Sequence, residues 1–339
     1  MRRPSVAVLM AGTATLVLVA VVIASPASQT RQLGPKSAAG SVMRDQDRDQ
    51  ERDQDRDQDR DQNNDADDDS TGDVDGSAGQ AIDPALFAPG ACMAFPPTNG
   101  DRYETVFLDA GHGGIDPGAV GTTQSGQTID EATVNLAIEL DTMAILRAQG
   151  YRVVVSRTQN TSVTKLTQDD VSGRMLTVQG TFNDVAARDV CANMAGADVL
   201  VGIYMDSGGP PNGGCVTGYD ADRPFSAANL RLAALLQDDV LGALNAHGYD
   251  IPDEGVQPDT GLGSALTAAA MAYGHLILLG PAKAGYFSTP SQMPGALIEP
   301  LFITDPFEGS IAASTHGQQL IATALAQAIT QYFAPPPEP

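Results

Sequence analysis

The chain of 339 residues has no tryptophan, three cysteines, four histidines and only 5% aromatic residues. Without tryptophan, any contact with carbohydrate has to rest on Tyr, Phe or polar groups. Cys92, Cys191 and Cys215 lack the spacing of a zinc knuckle, which argues against a cysteine metal site. Positive charge is scarce: 19 Lys and Arg stand against 42 Asp and Glu, a formal net charge of -23. Phosphate binding needs a basic face, so nucleic acid is excluded as a partner. Much of the acidity lies in one segment, however, and says little about the folded part.

The one long apolar run, residues 6–24, follows the basic start MRR and carries no charge. A positive end before such a run is an export signal, and its length also allows a membrane-spanning helix. SPA at residues 25–27 offers a small-x-small cleavage site, so residues 1–27 read as a signal peptide or a signal anchor. No cysteine follows the run, which argues against a lipid-modified N-terminus. In an exported chain, an odd cysteine count suggests one disulfide and one spare thiol, with the pairing open. Residues 44–62 then repeat RDQD-like units, and residues 63–75 turn acidic. Nothing there can bury apolar surface, so residues 28–100 are expected to be a disordered acidic linker, either a spacer or a plain solvated connection.

The folded part is expected at residues 101–334, with a Pro-rich tail at 335–339. Apolar patterning predicts strands at residues 103–109, 151–156, 199–205, 276–279 and 295–299. It predicts helices at 132–149, 185–195, 227–247 and 317–333. Glycines at 150 and 248 supply helix stops. Strands alternating with helices imply an α/β single domain, an open, mostly parallel twisted sheet with helices on both faces, phosphorylase/hydrolase-like. Ligands of such sheets bind outside the carboxyl ends of the strands. His112, Tyr204 and Glu299 all fall at or near such ends.

DAGHGGIDPGAVG at 109–121, EATVNL at 131–136, RDVCAN at 188–193, VGIYMD at 201–206 and MPGALIE at 293–299 form one series. Together they resemble the zinc-dependent N-acetylmuramoyl-L-alanine amidases of the amidase-3 type, over nearly all of the expected fold. The resemblance implies Zn2+ held by His112, Glu131 and a third residue, with Glu299 as the catalytic carboxylate. It also implies peptidoglycan as substrate, cut at the amide between N-acetylmuramic acid and the L-alanine of the stem peptide. The residue types suit that chemistry, because zinc takes N and O donors and keeps a position for water. Arg188 reads as a supporting loop anchor.

The third ligand departs from the pattern: Tyr204 stands where the family usually has histidine. A phenol ligates well only after losing its proton. Three substitutes are open: Tyr204 as phenolate, Asp206 two residues along the strand, or His275 approaching the same crevice. The departure also leaves a second reading, a degenerate amidase-fold protein that binds cell wall or regulates another wall enzyme. The loop at residues 207–214 is either a groove wall or a plain connection. Residues 249–273, poor in pattern, read as an inserted segment able to cover the site. The protein is expected to act as an exported, extracytoplasmic monomer, with a membrane tether if the apolar run is retained.

Overall fold

The runs rich in Val, Ile and Leu become the centre of a sheet buried on both sides. The structure is a computed structural model that describes residues 79–209, 213–262 and 267–335. The export segment, the charged repeat and residues 336–339 lie outside the described residues. The elements are β1 (Gln80–Ala81), β2 (Ala91–Phe95), β3 (Thr105–Ala110), β4 (Val120–Thr122), β5 (Thr128–Asp130), α1 (Glu131–Ala148), β6 (Arg152–Arg157), β7 (Val171–Ser172), β8 (Met175–Leu176) and α2 (Val178–Ala195). They continue with β9 (Val199–Ile203), β10 (Cys215–Tyr219), α3 (Ser226–Ala246), β11 (Asp253–Pro258), α4 (Ala268–Tyr273), β12 (Gly295–Glu299), α5 (Pro306–Ala313) and α6 (Thr315–Phe333).

Eight strands form one sheet in the order β1-β2-β6-β3-β9-β12-β10-β11. β6, β3, β9 and β12 are mutually parallel, whereas β2 and β10 run antiparallel to their inner neighbours. Every residue of β9 and β12 is buried, as expected of parallel strands covered on both faces. Side chains alternate between the faces. Val199, Val201 and Ile203 join α1, α3 and α6 in one core, while Leu200 and Tyr204 meet α2 in the other. Full burial of each such aliphatic side chain contributes roughly 1.5–3 kcal/mol. The described residues thus form the single α/β domain that the patterning predicts.

Local signals set the helix ends. Asp130 accepts the backbone N–H of Thr133 at 2.9 Å and starts α1, a cap worth about 1 kcal/mol. Thr177 caps α2 through the N–H of Gly180 at 2.9 Å, two turns before the expected start at residue 185. Gly196, in the left-handed conformation with φ 61°, ends it.

Three expectations are corrected. The fold begins before residue 101: β1 and β2 pair into the main sheet, so residues 79–100 are not linker. Residues 276–279 are a turn, closed by Leu279 N–H to Leu276 O at 3.1 Å, not a strand. Their leucines fill space that glycines leave on the sheet. A Cβ at Gly202 would come within 2.9 Å of Leu278 Cδ2, and one at Gly295 within 3.2 Å of Leu279 Cδ2. The pattern also missed β10 and β11. The single disulfide joins Cys92 on β2 to Cys191 on α2, leaving Cys215 as a buried free thiol. No helix among the described residues is long and apolar enough to cross a membrane.

Candidate functional site

The parallel strands β3, β9 and β12 deliver their last residues to one rim of the sheet. β3 runs into Gly111 and His112, and His112 takes a left-handed backbone with φ 62°. That turn aims its ring along the rim. Nδ1 lies 2.9 Å from Asp116 Oδ2, and Nε2 lies 3.2 Å from Glu131 Oε1. Glu131 opens α1 and is only 3% exposed. Its Oε2 accepts the N–H of Ala119 at 2.9 Å, and its Oε1 accepts the N–H of Met205 at 3.0 Å. Gly118, at φ 67°, is required beside this pair: a Cβ there would meet Glu131 Oε2 at 2.6 Å and His112 Cδ2 at 2.7 Å.

Burial disfavours a charged His112, but the Glu131 charge and the hydrogen bonds to Asp116 and Glu131 overcome it and push its pKa up to about 10. Burial works against ionised Glu131 as well, yet the His112 charge and the N–H donors hold it below its ordinary value. The pocket between these two side chains therefore favours a positive charge. Two donors 3.2 Å apart also have the separation that ligands of one small cation adopt.

Glu299 ends β12 at the same rim and is 4% exposed. Burial, then the charges of Asp206 and Glu131, raise its pKa well above the ordinary carboxyl range. It shares a hydrogen bond with Asp206, and its Oε2 has no hydrogen-bond partner among the described residues. Asp206 itself lies just past β9, bridged to Phe302, with its Oδ1 accepting the N–H of Ser207 at 2.6 Å.

Tyr204 turns elsewhere. Its hydroxyl donates to Asp109 Oδ2 at 3.1 Å, and its ring stands edge-on to His112 with centroids 5.5 Å apart. Burial and the Asp109 charge raise the phenol well above its ordinary pKa, so it stays neutral. Forming the phenolate here would cost that hydrogen bond to Asp109. His275 is not brought to His112 either. It packs between Asp220 and Asp259 at the far rim, where the antiparallel β10 ends.

Arg188, read from the sequence as a supporting residue, lies beneath the histidine turn. Fully buried on α2, it donates to the carbonyls of Ala110 and His112 at 2.8 Å each and pairs with Asp184 at 2.9 Å and with Asp109. Sequence reasoning missed two further groups beneath the turn. Arg157 donates to Gly111 O at 3.1 Å and to Ala132 O at 2.6 Å, tying β3 to α1. Glu139 Oε1 accepts the N–H groups of Ala110 at 2.9 Å and Ser156 at 3.2 Å, and burial pushes its pKa up to about 8. Position 139 lies two helical turns from Glu131 on the same face of α1, which was the available signal.

A cavity of about 40 Å³ adjoins Tyr204 and Glu299, walled by Leu276, Leu278, Thr267 and Ala270. The segment expected to cover the site thus reaches its flank. Of the loop at 207–214, residues 210–212 lie outside the described residues.

The sequence model of the family described as N-acetylmuramoyl-L-alanine amidase matches residues 106–331. The N-acetylmuramoyl-L-alanine amidase AmiA of Salmonella typhimurium is 29% identical over 246 residues, covering 67% of this chain and 75% of its own. YqiI of Bacillus subtilis, an uncharacterized protein, is 27% identical over 231 residues, covering 68% of this chain and 85% of its own. The CwlD amidase of Clostridioides difficile, solved in complex with the GerS lipoprotein, matches with a TM-score of 0.51 at 22% identity over 68% of this chain and 98% of that one. That last likeness concerns the fold.

Proposed function

The chain belongs to the N-acetylmuramoyl-L-alanine amidase family, amidase-3 type, and we propose that it hydrolyses peptidoglycan at the amide between N-acetylmuramic acid and the L-alanine of the stem peptide. The observation that carries this reading is the pairing of His112 Nε2 with Glu131 Oε1 at 3.2 Å on the rim that also carries the buried, half-partnered Glu299.

His112 and Glu131 would hold a Zn2+ ion. The Tyr204 hydroxyl is committed to Asp109, and among the described residues no third His, Cys, Asp or Glu donor closes on the His112–Glu131 pair; Asp206, on the same rim and turned to Ser207 and Glu299, would have to swing towards the pair to supply one. When bound, the metal supplies acidification of water and polarisation of the scissile carbonyl. Asp116 keeps His112 oriented through Nδ1, leaving Nε2 for the cation. Arg188 and Arg157 fix the carbonyls on either side of the histidine turn, so the imidazole keeps its aim. Glu299 takes the proton of the attacking water at its free Oε2 and passes it to the leaving amine. Burial and the charges of Asp206 and Glu131 favour the neutral form of Glu299, and a cation held by His112 and Glu131 would offset part of that charge.

The disulfide between β2 and α2 supports an oxidising, extracytoplasmic site of action. Residues 1–27 fit export, either as a cleaved signal or as a retained tether. The reading is tested by digesting purified peptidoglycan with the chain, zinc removed and then restored. Release of muropeptides is expected to follow zinc and to fall about 10²–10⁴-fold in Glu299→Gln. A Glu299→Gln chain that releases muropeptides at the unaltered rate overturns it. The Tyr204–Asp109 bond favours one alternative, wall binding without turnover, and that reading holds if wall is bound but never cut at any zinc concentration.

A further inference from the structure

At the rim opposite His112, three donors converge that the amide chemistry does not use. β10 runs antiparallel to β12 with Val216 opposite Glu299, so Asp220 falls roughly 13 Å from the level of Glu299 at about 3.3 Å per residue. Asp220 follows β10, Asp259 follows β11, and His275 precedes the turn at residues 276–279. His275 Nδ1 lies 3.0 Å from Asp220 Oδ2 and 3.3 Å from Asp259 Oδ2. Both carboxylates are at most 1% exposed.

One of their four carboxylate oxygens lacks a hydrogen-bond partner among the described residues, while Asp259 Oδ1 lies 3.4 Å from His275 Nδ1. Asp220 Oδ1 accepts the N–H of Asp222 at 2.7 Å, but the fully buried Oδ2 accepts no hydrogen bond among the described residues. Asp259 Oδ2 accepts the N–H of Leu276 at 2.9 Å. A single Nδ1 proton cannot serve two carboxylates at once. Arg223 directs its hydrogens to carbonyls, Leu279 O at 3.1 Å, Gly280 O at 2.7 Å and Ser291 O. Lys283 donates to Tyr273 O at 2.8 Å.

We propose that Asp220, Asp259 and His275 form a second metal site, which takes a divalent transition-metal ion such as Zn2+ through one oxygen of each aspartate and Nδ1 of the imidazole. The separations of 3.0 and 3.3 Å match the edges of a tetrahedron with ligand bonds of about 2 Å. The mixed nitrogen and carboxylate donors suit zinc or manganese better than calcium. Asp222, with Oδ2 3.9 Å from Nε2, stands where it can orient the ring. The ion would join the ends of β10 and of the edge strand β11 to the segment whose Leu276 and Leu278 wall the cavity beside Tyr204 and Glu299. It would therefore fix that wall from the far rim. The inference does not depend on the hydrolytic reading.

The test uses the purified full chain, stripped by a chelator and reloaded with Zn2+ alone, with bound metal counted after gel filtration. His112→Asn removes the imidazole of the first centre with a residue that tolerates its positive φ. That chain is expected to keep one equivalent of zinc, and zinc at about 100 times Kd raises its Tm by roughly 5–10 °C. Adding His275→Gln removes both the equivalent and the Tm response. No retained zinc in His112→Asn, or equal retention in the double variant, overturns the proposal. If the double variant does not fold, Asp220→Asn in the same background makes the same comparison, since its carbonyl still accepts the N–H of Asp222.

Discussion

Tyr204→Phe separates a structural phenol from a metal ligand. The substitution removes one hydroxyl and leaves the ring. In the structure that hydroxyl donates to Asp109 Oδ2 at 3.1 Å. A hydrogen bond to a charged acceptor contributes about 1.5–3 kcal/mol. Asp109 keeps its ion pair with Arg188, so the loss falls at the low end, about 1.5 kcal/mol. For a domain of this size, Tm should drop by about 3–6 °C. The zinc concentration that half-restores muropeptide release should not move. Tyr204→His removes the same bond and returns a nitrogen donor, so the zinc required should fall at least tenfold. The reasoning is refuted if Tyr204→Phe raises the zinc requirement tenfold or more while Tm stays put, because the phenol oxygen would then face the metal.

Three other outcomes follow from the core beneath the site. Glu139 has its pKa pushed from 4.5 up to about 8 in the fold, so the folded chain holds a proton that the unfolded chain has released between those values. Its contribution is intact below about pH 4.5 and lost as pH rises towards 8, on the order of 5 kcal/mol; chemical denaturation should show Glu139→Gln flattening this decline relative to the unaltered chain. Reducing the Cys92–Cys191 disulfide, with a sequence separation of 99, should cost about 4–5 kcal/mol by loop entropy, read as a fall in Tm on adding dithiothreitol; an unchanged Tm in fully reduced protein contradicts it. Gly118→Ala should abolish zinc-dependent release at least a hundredfold, because a Cβ meets Glu131 and His112 at 2.6 and 2.7 Å on a backbone at φ 67°; a fully active variant would mean that the pair is placed differently.

The sequence was most legible where local pattern and final environment agree. Val106, Leu108 and Val153 lie in runs that can only be buried strand, and α1 and α6 carry helical spacing with clear caps or stops. His112, Glu131 and Glu299 were named from the resemblance of their motifs to the family's, and the structure places His112 beside Glu131 with Glu299 buried at the end of β12. It was illegible where a partner decides the outcome. CVTGY in β10 has no strong local pattern, and its reversed direction comes from pairing with β12. The run at residues 276–279 is as apolar as a strand, yet it turns, because glycines on β9 and β12 leave room for its leucines. The same tertiary logic moved Tyr204 to Asp109 and His275 to Asp220. An imidazole read as a substitute ligand for one centre stands beside acids that the antiparallel strand carries to the other rim.

The two rims share one electrostatic condition. Asp109 is matched by Arg188, and Glu139 is helped by Arg157 and by its own proton. Glu131 and Asp116 face the His112 imidazole, helped by backbone N–H groups, while burial and the neighbouring acids hold Glu299 towards its neutral form. The protons on His112 and Glu299 stand where a divalent cation would do the same work with a stronger charge. Metal uptake at the His112 rim should therefore displace protons rather than add uncompensated charge. The Asp220–Asp259–His275 cluster offers the same opening by geometry, since the buried Oδ2 of Asp220 accepts no hydrogen bond among the described residues.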